Sequence, residues 1–246
     1  GSRPPLFVAS HGGQTSAASA QLNLRTQFWT SRGFAVVDVN HRGSTGFGRR
    51  YRDELRGQWG VVDVEDCAAA ARFLAEQGRA DPARLVIRGG SAGGYTVLRA
   101  LLADDTFAAG CSLYGIADLE ALVGDDHKFE SRYTETLVAP YPDGAAIWRE
   151  RSPIHRIGEL SRPLILFQGL EDPVVPPMQS QMVADALEAR HVPYAYVTFE
   201  GEAHGFRRAE SMQRCLEAEL SFYAQVLGIP HPDDIGPVEV RHLVVD

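Results

Sequence analysis

One serine of the chain stands in a pattern that favours nucleophilic chemistry. Residues 89–93 read Gly-Gly-Ser-Ala-Gly, a G-x-S-x-G sequence centred on Ser91, and they directly follow the apolar residues 85–87. A serine on a sharp turn between a strand and a helix needs strained backbone angles and neighbours without bulky side chains. The pattern therefore predicts a nucleophile elbow. A turn serine or a helix N-cap is the structural alternative.

The partners that such a serine needs follow later in the chain. One strand-like run leads into a turn with two acids, Glu171 and Asp172, and another leads into a turn that carries His204. A serine hydroxyl is a poor nucleophile until a base accepts its proton, and an acid must hold that base in the useful tautomer. The order serine, acid, histidine is the one expected for an elbow nucleophile. We predict a triad of Ser91, Asp172 and His204, with Glu171 as the alternative acid.

A glycine-rich turn near the amino terminus is suited to stabilise the negative charge that develops in acyl transfer. His11, Gly12 and Gly13 follow the strand-like residues 6–10, and such a turn can direct backbone N–H groups at an oxyanion. We expect the N–H groups of Gly13 and Ala92 to form an oxyanion hole. An ordinary strand-ending turn is the alternative.

Composition and spacing argue against several other classes of protein. No two histidines have a metal-ligand spacing such as H-E-x-x-H, so no metal site is expected. A net charge of -8 without a basic patch argues against nucleic acid, and no apolar stretch approaches the length of a membrane span. Cys67, Cys111 and Cys215 are widely spaced, which is typical of reduced thiols in a cytoplasmic protein. A natural amino terminus that is missing here would hide any secretion signal.

The order of the elements predicts how these residues are positioned. Strand-like apolar runs alternate with helical patterns, which is typical of a single α/β domain with a mostly parallel sheet and helices on both faces, here over residues 1–246. Helices are predicted within residues 60–78, 178–187 and 212–227, the last two from core-facing apolar stripes. In such a fold the residues that follow strand ends meet at one edge of the sheet.

Two segments are less regular. Residues 117–160 are predicted to form a lid or specificity loop over the site. Residues 231–246 form a tail that either pairs with an exposed sheet edge or is disordered. Four aromatic side chains in the first segment either line an apolar pocket or pack the segment onto the sheet: Phe129, Tyr133, Tyr141 and Trp148.

Longer stretches carry a family resemblance. Residues 40–48 read Asn-His-Arg-Gly-Ser-Thr-Gly-Phe-Gly, and further matching stretches are residues 10–13, 59–60, 63–66, 90–95 and 151–153. Together with the turns at Asp172 and His204, they resemble the catalytic domain of prolyl oligopeptidase-type serine peptidases, in the acylaminoacyl-peptidase and oligopeptidase branch. The resemblance spans roughly residues 6–228.

The resemblance implies an α/β-hydrolase fold that cleaves short peptides, acylated peptides or aminoacyl amides and esters, without a metal or organic cofactor. It assigns the same triad and the same oxyanion hole by position. Arg42, Tyr95 and Val174 are expected to contact substrate, and ordinary loop structure is the alternative for Arg42. Family members often carry an arginine two residues after the aspartate, where this chain has Val174. Substrate anchoring is therefore expected to differ, and aminopeptidase, oligopeptidase and amidase subtypes stay open.

The amino-terminal end departs from the family as well. Gly1 and Ser2 are expected to be the remnant of a cleaved tag, and no β-propeller precedes the hydrolase region in this chain. The first strands of the full fold are also expected to be absent, which would leave residues 34–40 at a sheet edge. An apolar edge invites pairing. We therefore expect self-association, or pairing with the tail or with a missing amino-terminal region.

Three functions remain open at this stage. The resemblance favours a serine peptidase or aminoacyl amidase. A small-molecule carboxylesterase would use the same residues, because the same triad cleaves esters more easily than amides. A non-catalytic interaction domain derived from a hydrolase is the third possibility.

Overall fold

A six-stranded parallel sheet forms the centre of the chain, in the order β2-β1-β3-β4-β5-β6. The computed structural model describes residues 3–122, 132–231 and 234–244. The strands are β1 Leu6–Ser10, β2 Ala35–Val39, β3 Leu85–Gly90, β4 Ala109–Leu113, β5 Leu164–Gly169 and β6 Tyr194–Phe199. The inner strands are buried on both faces, which explains why they read as nearly continuous apolar runs.

Helices cover both faces of this sheet. They are α1 Leu24–Thr30, α2 Arg49–Asp53, α3 Val62–Glu76, α4 Ala92–Ala103, α5 Tyr133–Leu137, α6 Ala145–Arg151, α7 Met178–Ala189 and α8 Ala209–Leu227. One core contains apolar side chains of α3, α4 and α7, and the other contains those of α1 and α8. The predicted α/β fold is therefore confirmed. None of the helices in the described ranges is both long enough and apolar enough to span a membrane.

The predicted core-facing stripes of two helices are wrong at their first residue. The helices themselves form, as α7 and α8, but Met178 and Met212 are 62% and 41% exposed. The buried face of α7 is instead made by Val183, Ala184 and Leu187. Each exposed methionine lies in the first turns of its helix, next to residues that are buried there. The three cysteines are free and buried.

The two edges of the sheet behave differently. As predicted, β2 lies at one edge. The described part of the tail, residues 234–244, lies at the opposite edge instead, where Arg241 forms an antiparallel bridge with Tyr194 of β6. The reason is an anchor on α8, where the Ser221 hydroxyl accepts from the Val238 amide at 2.9 Å and Gln225 donates to the Val238 carbonyl at 2.9 Å. Self-association through β2 stays a prediction.

In the region predicted as a lid, the described residues 117–122 and 132–160 contain the short helices α5 and α6, with 3-10 turns before and after them. Trp148 is buried, donates to the Ala139 carbonyl at 2.9 Å and packs edge-on against Tyr141. Tyr133 shares a 2.6 Å hydrogen bond with Thr15. These aromatic residues pack the segment onto the domain. Phe129 and the expected tag remnant, residues 1–2, lie outside the described residues.

Candidate active site

Ser91 lies on the strained turn that the sequence predicts, between the end of β3 and the start of α4. Its φ is 55° and its ψ is -121°, a conformation that L residues rarely adopt. Its amide is held by the Leu113 carbonyl at 2.9 Å. A Cβ at Gly89 or Gly93 would overlap neighbouring backbone atoms. The glycines therefore allow the turn to pack closely beneath the serine.

His204 connects Ser91 to Asp172. The serine Oγ lies 2.9 Å from Nε2 of His204, and Nδ1 of the same ring lies 2.8 Å from Oδ2 of Asp172. A carboxylate can only accept, so Nδ1 donates to it, which leaves Nε2 free to accept from the serine hydroxyl. The side chain of Asp172 is fully buried and that of His204 is 22% exposed. This chain of hydrogen bonds is suited to remove the serine proton.

Asp172 is held by its own turn. Its Oδ1 accepts from the amides of Val174 and Val175 at 2.8 and 2.9 Å, and Gln168 donates to its Oδ2 at 3.3 Å. Burial opposes ionisation, but the hydrogen bonds from His204 and from these amides outweigh it, and the pKa of Asp172 is lowered. Glu171, the alternative acid, points to solvent.

Two residues that hold the His204 loop in place, Glu202 and Tyr114, were not predicted from the sequence. Glu202 is buried, and its carboxylate accepts from the amides of Arg207 and Arg208 at 3.0 and 2.9 Å. Tyr114 follows β4 with a φ of 39°, and its ring packs edge-on against His204 with a centroid distance of 4.8 Å. Its position at the carboxyl end of a strand was a usable signal for Tyr114. Nothing local distinguished Glu202 from a solvated acid.

The two residues expected to form the oxyanion hole lie at the serine. Ala92 is the first residue of α4, so its N–H has no partner within the helix. Gly13 adopts a φ of 73° and lines the same cavity as Ser91. Gly12 packs against the elbow, where an added Cβ would lie 3.1 Å from the Gly90 carbonyl oxygen. The geometry presents a glycine turn to the serine without a side chain between them.

A pair of stacked histidines supports this turn. The Gly13 carbonyl accepts from His11 Nδ1 at 3.1 Å, and Nε2 of the same ring lies 2.8 Å from the buried Ser44 hydroxyl. His41 stacks on His11 with a centroid distance of 4.4 Å. Burial, and then the nearby His41, lower the pKa of His11 to about 4. His41 has a loop-like sequence context, yet only 3% of it is exposed.

One of the three expected substrate contacts, Tyr95, is wrong. Tyr95 is fully buried beneath the elbow, where it packs on Trp59 and donates to the Arg151 carbonyl at 3.1 Å. Arg42 stays a prediction: its guanidinium donates to Asp66 and Glu65 of α3 at 2.8 Å, and its side chain is 31% exposed.

The third expected contact stays a prediction. The side chain of Val174 is 56% exposed beside the Asp172 turn.

One group of described side chains has the spacing of metal ligands. Asp118, Glu120 and His155 each bring one ligand atom within 4.8 Å of the others. Arg149 already pairs with Glu120 at 3.6 Å. No second feature of the structure points to a cation there, and the group plays no part in the chemistry of Ser91.

The serine opens onto a cavity of about 730 Å³. Its lining includes Ser91, His204, Gly13 and Tyr114, and it extends away from them across the face of β1, β2 and β3 beside α1. A volume of this size accommodates a small ligand.

The parallel sheet, the strained serine between β3 and α4, and the chain order of its partners define the α/β-hydrolase fold. A model described as the prolyl oligopeptidase family matches residues 20–230. The chain belongs to this family, as the sequence resemblance predicts.

Known relatives agree with this assignment. A solved puromycin-hydrolyzing peptidase of Mycobacterium tuberculosis has a TM-score of 0.95 and 51% identity, covering 98% of this chain and 36% of that one. The acylaminoacyl peptidase of Pyrococcus horikoshii has a TM-score of 0.86 and 25% identity, covering 95% and 39%. Dipeptidyl aminopeptidase BIII of Pseudoxanthomonas mexicana is 34% identical over 230 residues, covering 91% and 33%. The chain spans about a third of the length of these relatives.

Proposed function

We propose that this chain is a serine peptidase domain that cleaves short peptides, acylated peptides or aminoacyl amides through an acyl-enzyme on Ser91. The observation that carries the proposal is the continuous hydrogen-bond chain from the Ser91 hydroxyl through His204 to the buried Asp172. Family membership and the peptidase relatives support the class of bond.

Each residue has a role in this proposal. His204 accepts the hydroxyl proton as Ser91 attacks the carbonyl carbon, and it returns that proton to the leaving amine. A water then attacks the ester, with His204 again as the base, and the acid product leaves. Asp172 keeps the ring in the required tautomer and stabilises the imidazolium. The oxyanion of both tetrahedral intermediates accepts from the N–H groups of Gly13 and Ala92.

The names of the relatives and the size of the cavity support this substrate class. The names of the relatives specify an aminopeptidase, an acylaminoacyl peptidase and a puromycin-hydrolyzing peptidase, all of which act on bonds in small molecules or at chain ends. The cavity of about 730 Å³ fits a ligand of that size. Val174 occupies the place of the arginine found in many family members, so substrate contacts are proposed to come from elsewhere in the cavity.

The test compares the wild-type chain with Ser91→Ala on three matched substrates: an aminoacyl anilide, an N-acyl peptide and a simple alkanoyl ester. The matched control is Ser161→Ala, which alters an exposed serine before β5. The proposal expects turnover of the anilide or the peptide, lost in Ser91→Ala and retained in Ser161→Ala. Cleavage of the alkanoyl ester alone would favour a carboxylesterase instead. Turnover that survives Ser91→Ala would overturn the proposed nucleophile.

Two further expectations accompany this function as predictions. A cytoplasmic location is predicted from the three widely spaced cysteines. Self-association, or pairing of β2 with another region, is predicted from its position at the sheet edge.

A further inference from the structure

The floor of the cavity beside Ser91 carries a buried arginine. In the sheet register, Arg88 of β3 and Asp38 of β2 both lie opposite Ala9 of β1, so all three side chains point to the same face. The small side chain of Ala9 leaves a depression between the two charged groups. Arg88 belongs to the elbow strand and lies three residues before Ser91, so this floor adjoins the candidate nucleophile.

The guanidinium of Arg88 is only partly satisfied by the protein. Its side chain is 10% exposed, and its Nε donates to the fully buried Glu219 at 3.0 Å. In the described part of the chain, no oxygen atom accepts a hydrogen bond from either Nη group. A guanidinium carries five N–H donors in a fixed fork, and buried donors are normally paired. The unpaired Nη groups therefore present donors to the cavity.

A second guanidinium lines the same wall. Arg25 lies in the first turn of α1, where its backbone amide donates to the Asn23 side chain at 2.9 Å. None of the acceptors in the described ranges takes a hydrogen bond from its side chain. The nearby positive charge of Arg88, and then burial, lower the pKa of Arg25. Two guanidinium groups that line the same cavity favour an anionic ligand.

Two other observations indicate the kind of ligand. Trp29 lies against the cavity, and its buried Nε1–H has no partner among the described residues. Glu219 accepts from Arg88, and its charge also acts on Arg25. Asp38 lines the other side of the floor, two strand spacings from Arg88 along the sheet. Two guanidinium groups therefore line the end of the cavity near Ser91.

We propose that Arg25 and Arg88 bind the carboxylate of a short peptide substrate in this cavity. The inference rests on the proposed peptidase function and deepens it, because it names a free carboxylate as the group that anchors the substrate. The planar fork of a guanidinium matches the two oxygens of a carboxylate, and such charge-assisted hydrogen bonds are the strong ones. This contact would replace the anchoring arginine for which the chain has Val174.

The first arm of the test measures binding without turnover. In the Ser91→Ala protein, calorimetry compares the tripeptide Phe-Gly-Gly with its carboxyl-terminal amide. Arg25→Gln, added to Ser91→Ala, removes one guanidinium from the cavity wall and leaves the Arg88–Glu219 pair intact. Arg79→Gln is the matched control, since it makes the same charge change at an exposed site beyond α3. We expect the free acid to bind about tenfold more tightly than the amide. Arg25→Gln should reduce that ratio to below threefold, and Arg79→Gln should preserve it.

The second arm repeats the comparison with the active serine in place, as kcat/KM for release of the amino-terminal residue. The effect of Arg25→Gln should fall on KM for the acid and leave the amide unchanged. Equal binding of acid and amide, or a preference that survives Arg25→Gln, would overturn the inference. If the wild-type chain cleaves neither peptide but the acid still binds in an Arg25-dependent manner, the carboxylate site stands and the proposed peptidase function fails.

Arg88 is tested through a pair of variants, because removing it alone would leave Glu219 buried and unpaired. Arg88→Met combined with Glu219→Leu replaces the ion pair by apolar side chains of similar size. This variant should fold and should bind acid and amide equally. A folded double variant that still prefers the acid tenfold would contradict a role for Arg88.

Discussion

The replacement of Asp172 by asparagine tests the hydrogen-bond chain most severely, because the shape of the site is retained. Oδ1 of Asp172 accepts from the amides of Val174 and Val175, which can only donate. The asparagine oxygen must occupy that position, since otherwise two buried donors lose their acceptor. The amide nitrogen then replaces Oδ2 and faces Nδ1 of His204 and Nε2 of Gln168.

An amide nitrogen can donate to His204 but cannot accept from it. Nδ1 must therefore become the acceptor, and the ring takes the tautomer with its proton on Nε2. That nitrogen can no longer remove the proton of Ser91. We expect kcat to fall by about 10⁴-fold, equivalent to ~5 kcal/mol of transition-state stabilisation, with KM changed less than threefold.

The assay is steady-state hydrolysis of the best substrate found in the three-substrate comparison, with thermal unfolding to verify the fold. Glu171→Gln is the control, because this neighbouring acid is exposed and makes no contact with the histidine. It should retain more than half of the wild-type kcat. An Asp172→Asn protein that keeps a tenth or more of the wild-type kcat would refute the assignment of Asp172 as the acid. A Glu171→Gln protein whose kcat falls about 10⁴-fold would refute it as well.

Three further predictions concern the frame around the site. Gly13→Ala should lower kcat about 10²-fold by disturbing the oxyanion turn. The control is Gly46→Ala, because Gly46 also has a positive φ, 93°, with open space around it. The control should lower the thermal unfolding temperature and leave kcat unchanged. Glu219→Leu removes both the charge and the acceptor that pair with the buried Arg88, so urea unfolding should show a loss of about 3–5 kcal/mol, and no loss would contradict the pairing. The pKa of His11 falls from 6.5 in the unfolded chain to about 4 in the fold, so the unfolded state binds the extra proton between these values. Stability should therefore decrease as pH falls from 6.5 to 4, by at most ~3 kcal/mol, and His11→Gln should remove this part of the decrease; identical pH profiles for both proteins would contradict it.

The candidate site residues could be predicted from the sequence where the requirement for each residue is local. Ser91 needs glycine neighbours to pack its turn, and those glycines stand in the sequence beside an apolar strand. Asp172 and His204 follow strand ends, and the strands of a parallel sheet bring their carboxyl ends to one edge. Gly13 is likewise predicted by the turn that ends β1. In each case a short segment contains the whole physical requirement.

What the sequence could not decide concerns contacts between distant segments. Tyr95 lies on a helix that is buried around most of its circumference, so helical periodicity gives no outward face to distinguish it from its neighbours. Arg42 is turned by the acids Asp66 and Glu65, and their pairing depends on how α3 packs against the end of β2. The alternating pattern of the tail is compatible with either edge of the sheet. The tail lies at β6 because its hydrogen bonds to α8 hold it there. Such choices are made by tertiary packing, which a local pattern does not encode.

The central claim, an acyl-enzyme on Ser91, is tested most directly by mass spectrometry of the intact protein after acid quenching during turnover of an aminoacyl ester. We expect the mass of the protein to increase by one acyl group, which proteolysis maps to the peptide that contains Ser91. The Ser91→Ala protein should show no such increase. Turnover in the wild-type protein with no adduct under single-turnover conditions, or an acyl group on any other residue, would contradict the account.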